Sequence, residues 1–390
     1  MTGLDMLKSI RNLDAELIEE SEFGTFGKRK AKGFGKKKLL FILAAALVVG
    51  TMTAAATFTR WTASLQFGNF AGDQPSEKIK QQAEQSGLSV TPTEVRDGKQ
   101  KAISATDNGV TVTVAQTVAD QYGARVVFRI EGMELEKGQA PCAWWDYKIE
   151  GIDSDDLHMG WGARFFEGMT LDDAGNPIYV KNGQPIPRVG ENQQLLLDYQ
   201  LADGSIEFII DFSFPRNGES FFGKEMSVTF TGFGVQGEKF EDEDIMTVPG
   251  KWELSWTLEG STEMPKKWTP NAKIGDWDVT LLEAEIGQYS MKIAYKIGDA
   301  YEDEIDFIEK MNWSPRPASI RLKDGTDMCV FGYNGGGDWD PDTHTFTVVA
   351  SSLNTILDPE QIVGMSFYAG YDLNEQGYRV DRPYYYIPFE

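Results

Sequence analysis

Residues 108–132 read NGVTVTVAQTVADQYGARVVFRIEG, and residues 275–299 read GDWDVTLLEAEIGQYSMKIAYKIGD. At a constant offset of 167 residues the apolar positions coincide: Val112 with Val279, Val114 with Leu281, Val126 with Ile293, Phe128 with Tyr295, Ile130 with Ile297. Val110 falls on Trp277, and a tyrosine recurs as Tyr122 and Tyr289. In both copies apolar and polar residues alternate on either side of a short turn. A period of two puts every second side chain on one face, the pattern of half-buried strands rather than of a helix. The chain is expected to contain one β module twice.

The blocks that follow correspond in kind. Ser205–Phe214 (SIEFIIDFSF) resembles Thr343–Ser351 (THTFTVVAS), and Met226–Val235 resembles Ile362–Ala369. Each copy closes on an aromatic strand, Lys251–Leu258 (KWELSWTL) and Tyr384–Phe389 (YYYIPF). Short strands at a spacing of about 8–12 residues point to a mainly β chain with two tandem immunoglobulin-like β-sandwich domains. The Cys–Trp–Cys signature of true immunoglobulin domains is absent. Domain one is expected over 101–260, with an insertion at Gly138–Asn192 rich in Trp, Asp and Gly, and domain two over 268–390. The Pro265–Lys267 stretch is read as the hinge. With 41% apolar and 25% charged residues the composition is globular.

Charge divides the chain further. Residues 1–38 hold nine Lys/Arg against six Asp/Glu, and the remainder holds 28 against 54. An outer part this acidic repels phosphate, so nucleic acid is not an expected partner. Between the two parts, residues 39–58 read LLFILAAALVVGTMTAAATF without a charge. Twenty residues at about 1.5 Å each cross roughly 30 Å of hydrocarbon. Seven Lys/Arg precede the segment between Lys28 and Lys38, and only Arg60 follows it before Lys78. The positive-inside rule then puts the N-terminus in the cytoplasm and the β domains outside the cell membrane. A cleaved signal peptide ending near Ala54–Ala56 is the alternative, against which the 38-residue n-region argues. Residues 59–100 are expected as an extracytoplasmic stalk, with a short helix from Ser76 to about Gly87.

Within the cytoplasmic tail (1–38), Leu4, Leu7, Ile10, Leu13 and Leu17 recur at steps of three and four. That is one apolar stripe on an amphipathic helix, followed by a basic linker. A lone helix of this length has nothing of its own to bury against, so the stripe must dock on a partner, pair with a copy of itself or lie on the membrane, and a protein partner is the expectation. Residues 1–22 carry two basic against six acidic residues, which disfavours anionic lipid. The tail LKSIRNLDAELIEES, with its basic run and single span, resembles a family of Firmicutes single-pass anti-sigma-factor-like membrane proteins. The matching positions are Leu7, Ile10, Asn12, Leu13, Asp14, Glu16, Leu17, Ile18, Glu19 and Glu20. The resemblance implies an extracytoplasmic domain of unknown function and a sigma factor or other transcription regulator as cytoplasmic partner. Residues 1–38 contain neither His nor Cys, so this tail carries no zinc-ligand set.

The outer part offers few groups for chemistry. Asp338, Asp340 and Asp342 alternate as in a calcium loop, but Thr343 and Val349 stand where an EF-hand needs Gly and Glu. With Gly335–Gly337 before them, they read as a hairpin turn. Asp153, Asp155 and Asp156 lie near His158 and Trp161, without the spacing that marks paired catalytic carboxylates. The Glu241–Asp244 run is a solvated loop. His158 and His344 are the two imidazoles and neither sits in a nucleophile motif. Cys142 and Cys329 fall in different repeats and apolar contexts, which favours burial over a bridge. No catalytic residue, cofactor or metal is expected. Trp144, Trp145 and Trp161 are the candidate surface for an extracellular glycan or protein, against a core-filling role.

The expected function is a membrane-anchored extracytoplasmic sensor whose tail stripe holds a transcription regulator. The alternative is an adhesive or structural surface protein that binds wall polymer, glycan or protein, with the tail as a topology anchor.

Overall fold

The computed structural model describes residue 62 and residues 77–389, apart from short internal stretches of which 153–160, 187–193, 214–221 and 302–316 are the longest. The expected tail stripe and the apolar segment 39–58 lie outside the described residues. Among the described residues no helix is long and apolar enough to cross a membrane.

The chain is mainly β, built from antiparallel sheets. The first module has principal strands β1 (Val110–Ala119), β2 (Gly123–Glu131), β3 (Pro141–Ile149), β4 (Trp161–Phe165), β5 (Ile206–Ser213), β6 (Glu225–Val235) and β7 (Ile245–Thr257). The second has β8 (Val279–Ile286), β9 (Ser290–Ile297), β10 (Pro317–Leu322), β11 (Gly337–Asp340), β12 (Thr345–Ser352), β13 (Ile362–Phe367) and β14 (Tyr385–Pro388). In the first, β1–β2–β5–β4 form one sheet and β3–β6–β7 the other; in the second, β8–β9–β12–β11 and β10–β13–β14 pair the same way.

The repeat extends to irregularities. The β1/β2 ladder slips between Val114 and Gln116, and the β8/β9 ladder slips between Leu281 and Glu283, the same position 167 residues on. One extra residue, Ala115 or Leu282, bends each long strand there. The flanking pieces repeat as well: Ser89–Val90 and Ser104–Asp107 line the free edge of β1 as Lys266–Trp268 and Ala272–Lys273 line that of β8. Asn108 and Gly109 make the turn into β1 with φ of +46° and +81°, which an Asn-Gly pair adopts at low cost.

Alternation sends Val110, Val112, Val114, Phe128 and Ile130 inward, to meet Val228, Phe230, Trp252 and Trp256 from the facing sheet. Phe128 meets Phe230 and Trp256 edge-on, at 5.3 and 5.9 Å between centroids. Fully buried Trp252 directs its indole N–H to Val110 O at 2.9 Å, so the polar handle is satisfied. The second core gathers Val279, Leu281, Ile293, Tyr295, Met365, Phe367 and Ile387.

Three expectations change. The short helix expected after Ser76 is present as α1 (Glu77–Gln85), but the stretch read as stalk is folded beyond it: Ala83 packs beside Leu88 and Val118, and a hairpin joins Thr93–Arg96 to Lys99–Ala102. The Gly138–Asn192 stretch read as insertion supplies β3 and β4, both integral to the sheets. The supposed hinge is a strand: Lys266–Trp268 pairs β8, and Lys266 Nζ reaches Glu360 at 2.9 Å.

Candidate functional site

The turns of the two repeated hairpins meet each other. Asp120, 3% exposed, accepts hydrogen bonds from the backbone N–H groups of Tyr289 and Ser290, each at 2.9 Å, and from the Ser290 hydroxyl. The Tyr122 N–H donates to Ser290 Oγ at 3.1 Å. Burial pushes the Asp120 carboxyl above its ordinary pKa, against the opposing pull of these donors.

Beside this knot lies a buried ion pair. Arg125 Nε meets Asp211 Oδ1 at 2.6 Å, and Arg164 Nη1 meets Oδ2 at 2.7 Å. Burial alone would raise the Asp211 pKa, but the Arg125 and Arg164 charges outweigh it and hold the carboxyl low. The Tyr289 hydroxyl donates to Asp211 Oδ1 at 3.4 Å, and its ring lies 5.9 Å from the Arg125 guanidinium carbon. Leu88, Val118, Val127, Tyr289 and Ile356 close an apolar shell around the junction. Sequence reading singled out Tyr122 and Tyr289 as repeated residues without a role. Their role depends on two turns packing together, which no local pattern announces.

The tryptophans expected as a ligand surface are divided. Trp145 turns inward, stacking on Tyr147 at 5.8 Å and meeting Phe208 edge-on at 5.5 Å. Trp144, the next residue on β3, is half-buried, and its carbonyl accepts from Thr231 Oγ1 at 3.3 Å. Trp161 begins β4, and its side chain lies outside the described residues. So do Asp153, Asp155, Asp156, His158 and Cys329. Cys142 is free and buried, its thiol pushed up to about 11 by burial and by Asp244. Asp340 Oδ1 accepts from the N–H groups of Asp342 and Thr343, an Asx turn that accounts for the acidic repeat. Among the described residues no group of acids, His or Cys has metal-binding geometry.

One element breaks the likeness of the modules. Residues 166–205 separate β4 from β5, where residues 341–344 suffice between β11 and β12. The longer connection folds into short ladders, Gly168–Met169 on Leu197–Asp198 and Tyr179–Lys181 on Gln184–Ile186. Against the link from β2 to β3 it encloses a cleft of about 680 Å³, lined among others by Glu136, Gln139, Thr170, Asp198 and Gln200. Thr170 is 6% exposed, and its hydroxyl is buried without a hydrogen-bond partner among the described residues. Beside it, burial and Glu167 push the Tyr199 phenol up to about 12.

No family model matches the chain. No curated protein matches it either. Among solved structures, one described as the crystal structure of the conserved domain protein from Bacillus anthracis is similar at 12% identity and a TM-score of 0.39, over 73% of this chain and 84% of that one.

Proposed function

We propose that this chain is a membrane-anchored extracytoplasmic sensor, with its N-terminal tail in the cytoplasm and its β modules outside. The modules act by binding, and the tail stripe of Leu4, Leu7, Ile10, Leu13 and Leu17 carries the response to a sigma factor or another transcription regulator. The observation that carries the reading is the junction. Asp120, Ser290 and the Arg125–Asp211 pair are polar groups buried between the modules and satisfied in one orientation. Such groups contribute little net stability and much orientational specificity. A sensing body needs a fixed geometry that a ligand can change, whereas a surface spacer does not.

Each module is proposed as immunoglobulin-like in outline. The support is strand order: β1–β2–β5–β4 against β3–β6–β7 follows the A-B-E-D and C-F-G order of that sandwich.

The test is a crosslinked pull-down from membranes, comparing the intact chain with one lacking residues 2–22 and with Leu13→Glu/Leu17→Glu. A sigma factor or regulator captured by the intact chain and lost from both variants is the expected result. Identical partner sets overturn the signalling role and leave the tail an anchor.

A further inference from the structure

Thr62, four residues after the apolar segment ends at Phe58, is already part of the first module. It is 6% exposed, and its backbone N–H and its hydroxyl both donate to Gln116 Oε1, at 3.0 and 3.2 Å. The Gln116 Nε2 donates in turn to Ser89 Oγ at 2.6 Å. Gln116 and Ser89 are buried as well, so one dry side chain, satisfied at both ends, ties Thr62 to β1.

The repeat marks this tie as particular to the first module. One repeat length on, Gln116 becomes Glu283, and Ser89, the ladder partner of Val118, becomes Lys267, the ladder partner of Glu285. Glu283 and Lys267 form an ion pair. Gln and Ser in their place keep a hydrogen bond across the same two strands and leave an amide oxygen to accept from Thr62. The tie also abuts the junction. Leu88 and Val118 belong to the apolar shell that Tyr289 and Ile356 close. Leu88 precedes Ser89 in the chain, and Val118 pairs with Ser89 in the ladder. A shift of the second module against Leu88 and Val118 therefore displaces Ser89, and with it the Gln116 amide.

We propose that the Thr62–Gln116 contact is a latch set by the module junction: with the junction closed, the β body grips the chain next to the apolar segment, and a change at the junction releases it. This rests on the reading of the chain as a membrane-anchored sensor, and it supplies the route by which the body reaches the span. Two neutral hydrogen bonds onto one oxygen favour the held state by about 5- to 150-fold. A ligand that prefers one junction geometry by a similar factor reverses that population, which suits a switch rather than a permanent anchor.

The experiment is amide hydrogen exchange of the full chain in detergent, read at Thr62 by mass spectrometry of overlapping peptides. The Thr62 amide should exchange about 5- to 150-fold more slowly than an unprotected amide. Gln116→Leu, which removes the acceptor, should abolish that protection. Tyr289→Ala and the milder Gly287→Ala, both at the junction, should each speed Thr62 exchange about 5-fold or more. The β6 amides, read in the same spectra, report whether a variant is folded, and Gly287→Ala decides if Tyr289→Ala is not. Unprotected exchange in the wild type overturns the latch, as does protection that Gln116→Leu retains. Thr62 protection unchanged in a folded junction variant overturns the coupling and leaves a fixed anchor. The tail pull-down is read separately, so failure here leaves the signalling test intact.

Discussion

Tyr122 and Tyr289, equivalent residues of the two repeats, each lie against the cation carried by the other module. The Tyr289 ring sits 5.9 Å from the guanidinium carbon of Arg125, and the Tyr122 ring sits 5.6 Å from Nζ of Lys292. Arg125 and Lys292 are themselves one repeat length apart. The modules thus meet through the same surface used twice, as the subunits of a two-fold dimer do. The symmetry is imperfect: the Tyr289 hydroxyl reaches buried Asp211, while the Tyr122 hydroxyl reaches Glu285 nearer the surface.

Truncating the two tyrosines should therefore have unequal effects. Tyr289 is fully buried and Tyr122 is 7% exposed. Tyr289→Ala is expected to cost about 3–5 kcal/mol, as other large-to-small changes in sealed sites do, and Tyr122→Ala less. Urea unfolding of the two variants measures the difference. Tyr289→Ala should also split one cooperative transition into two as the modules uncouple.

The pH dependence of the junction follows from Asp120. Its folded pKa is raised, so the stability it contributes is fully present below the unfolded value of about 3.9 and is lost as pH rises through the folded value. Asp120→Asn holds the neutral shape at every pH, with its carbonyl accepting the Tyr289 and Ser290 N–H groups and its amide donating to Ser290 Oγ. Relative to this variant, the wild type should lose stability steadily above about pH 4. Denaturation curves collected across that range give the difference, and a flat difference would show that Asp120 is already ionised in the folded state throughout it, with no raised pKa.

The mainly β character was legible because Val110, Val112, Val114 and their partners at Val279 and Leu281 alternate with polar residues. The repeat was legible because it keeps apolar side chains at one offset, bulge included. The junction was not, since Asp120 and Gly287 look unrelated until their turns are seen in contact. Nor was the cleft, because Thr170 and Asp198 are brought together by strand pairing across a segment with no periodic pattern. Trp145 shows the complementary limit: its neighbour Trp144 has the same residue type, and only the β3 pleat decides which of the two meets the core.

The Arg125–Asp211 pair should behave as buried pairs do. With side chains 2% and 1% exposed, removal of Asp211 leaves the Arg125 charge in a dry site, whereas removal of Arg125 leaves Asp211 paired with Arg164. Asp211→Ala is expected to cost about 3–5 kcal/mol, Arg125→Ala less, and Arg125→Met with Asp211→Leu distinctly less than Asp211→Ala. Equilibrium unfolding of the single and double variants provides the comparison. The Asp211 pKa is depressed, so its contribution is present above the unfolded carboxyl value and is lost as pH falls through the folded one. The acid limb of the stability curve should accordingly flatten in the double variant.

Gly287 tests why the two turns differ in sequence. It occupies the place that Asp120 holds in the first repeat, yet a Cβ there would lie 2.5 Å from Asp120 Oδ2. One module can place a carboxylate at the junction only if the other leaves room for it. Gly287→Ala should cost about 1–3 kcal/mol through overpacking. Gly287→Asp, which restores the symmetry of the sequence, should cost more, because two buried carboxylates would then share one set of donors. Pairing Gly287→Asp with Asp120→Gly moves the carboxylate to the opposite turn. Recovery of stability in that exchange, measured by thermal unfolding, would show that the junction needs one acid and is indifferent to which repeat supplies it. If the exchange is as damaged as Gly287→Asp alone, the donors at Tyr289 and Ser290 are placed for Asp120 specifically, and the two halves of the interface have diverged beyond interchange.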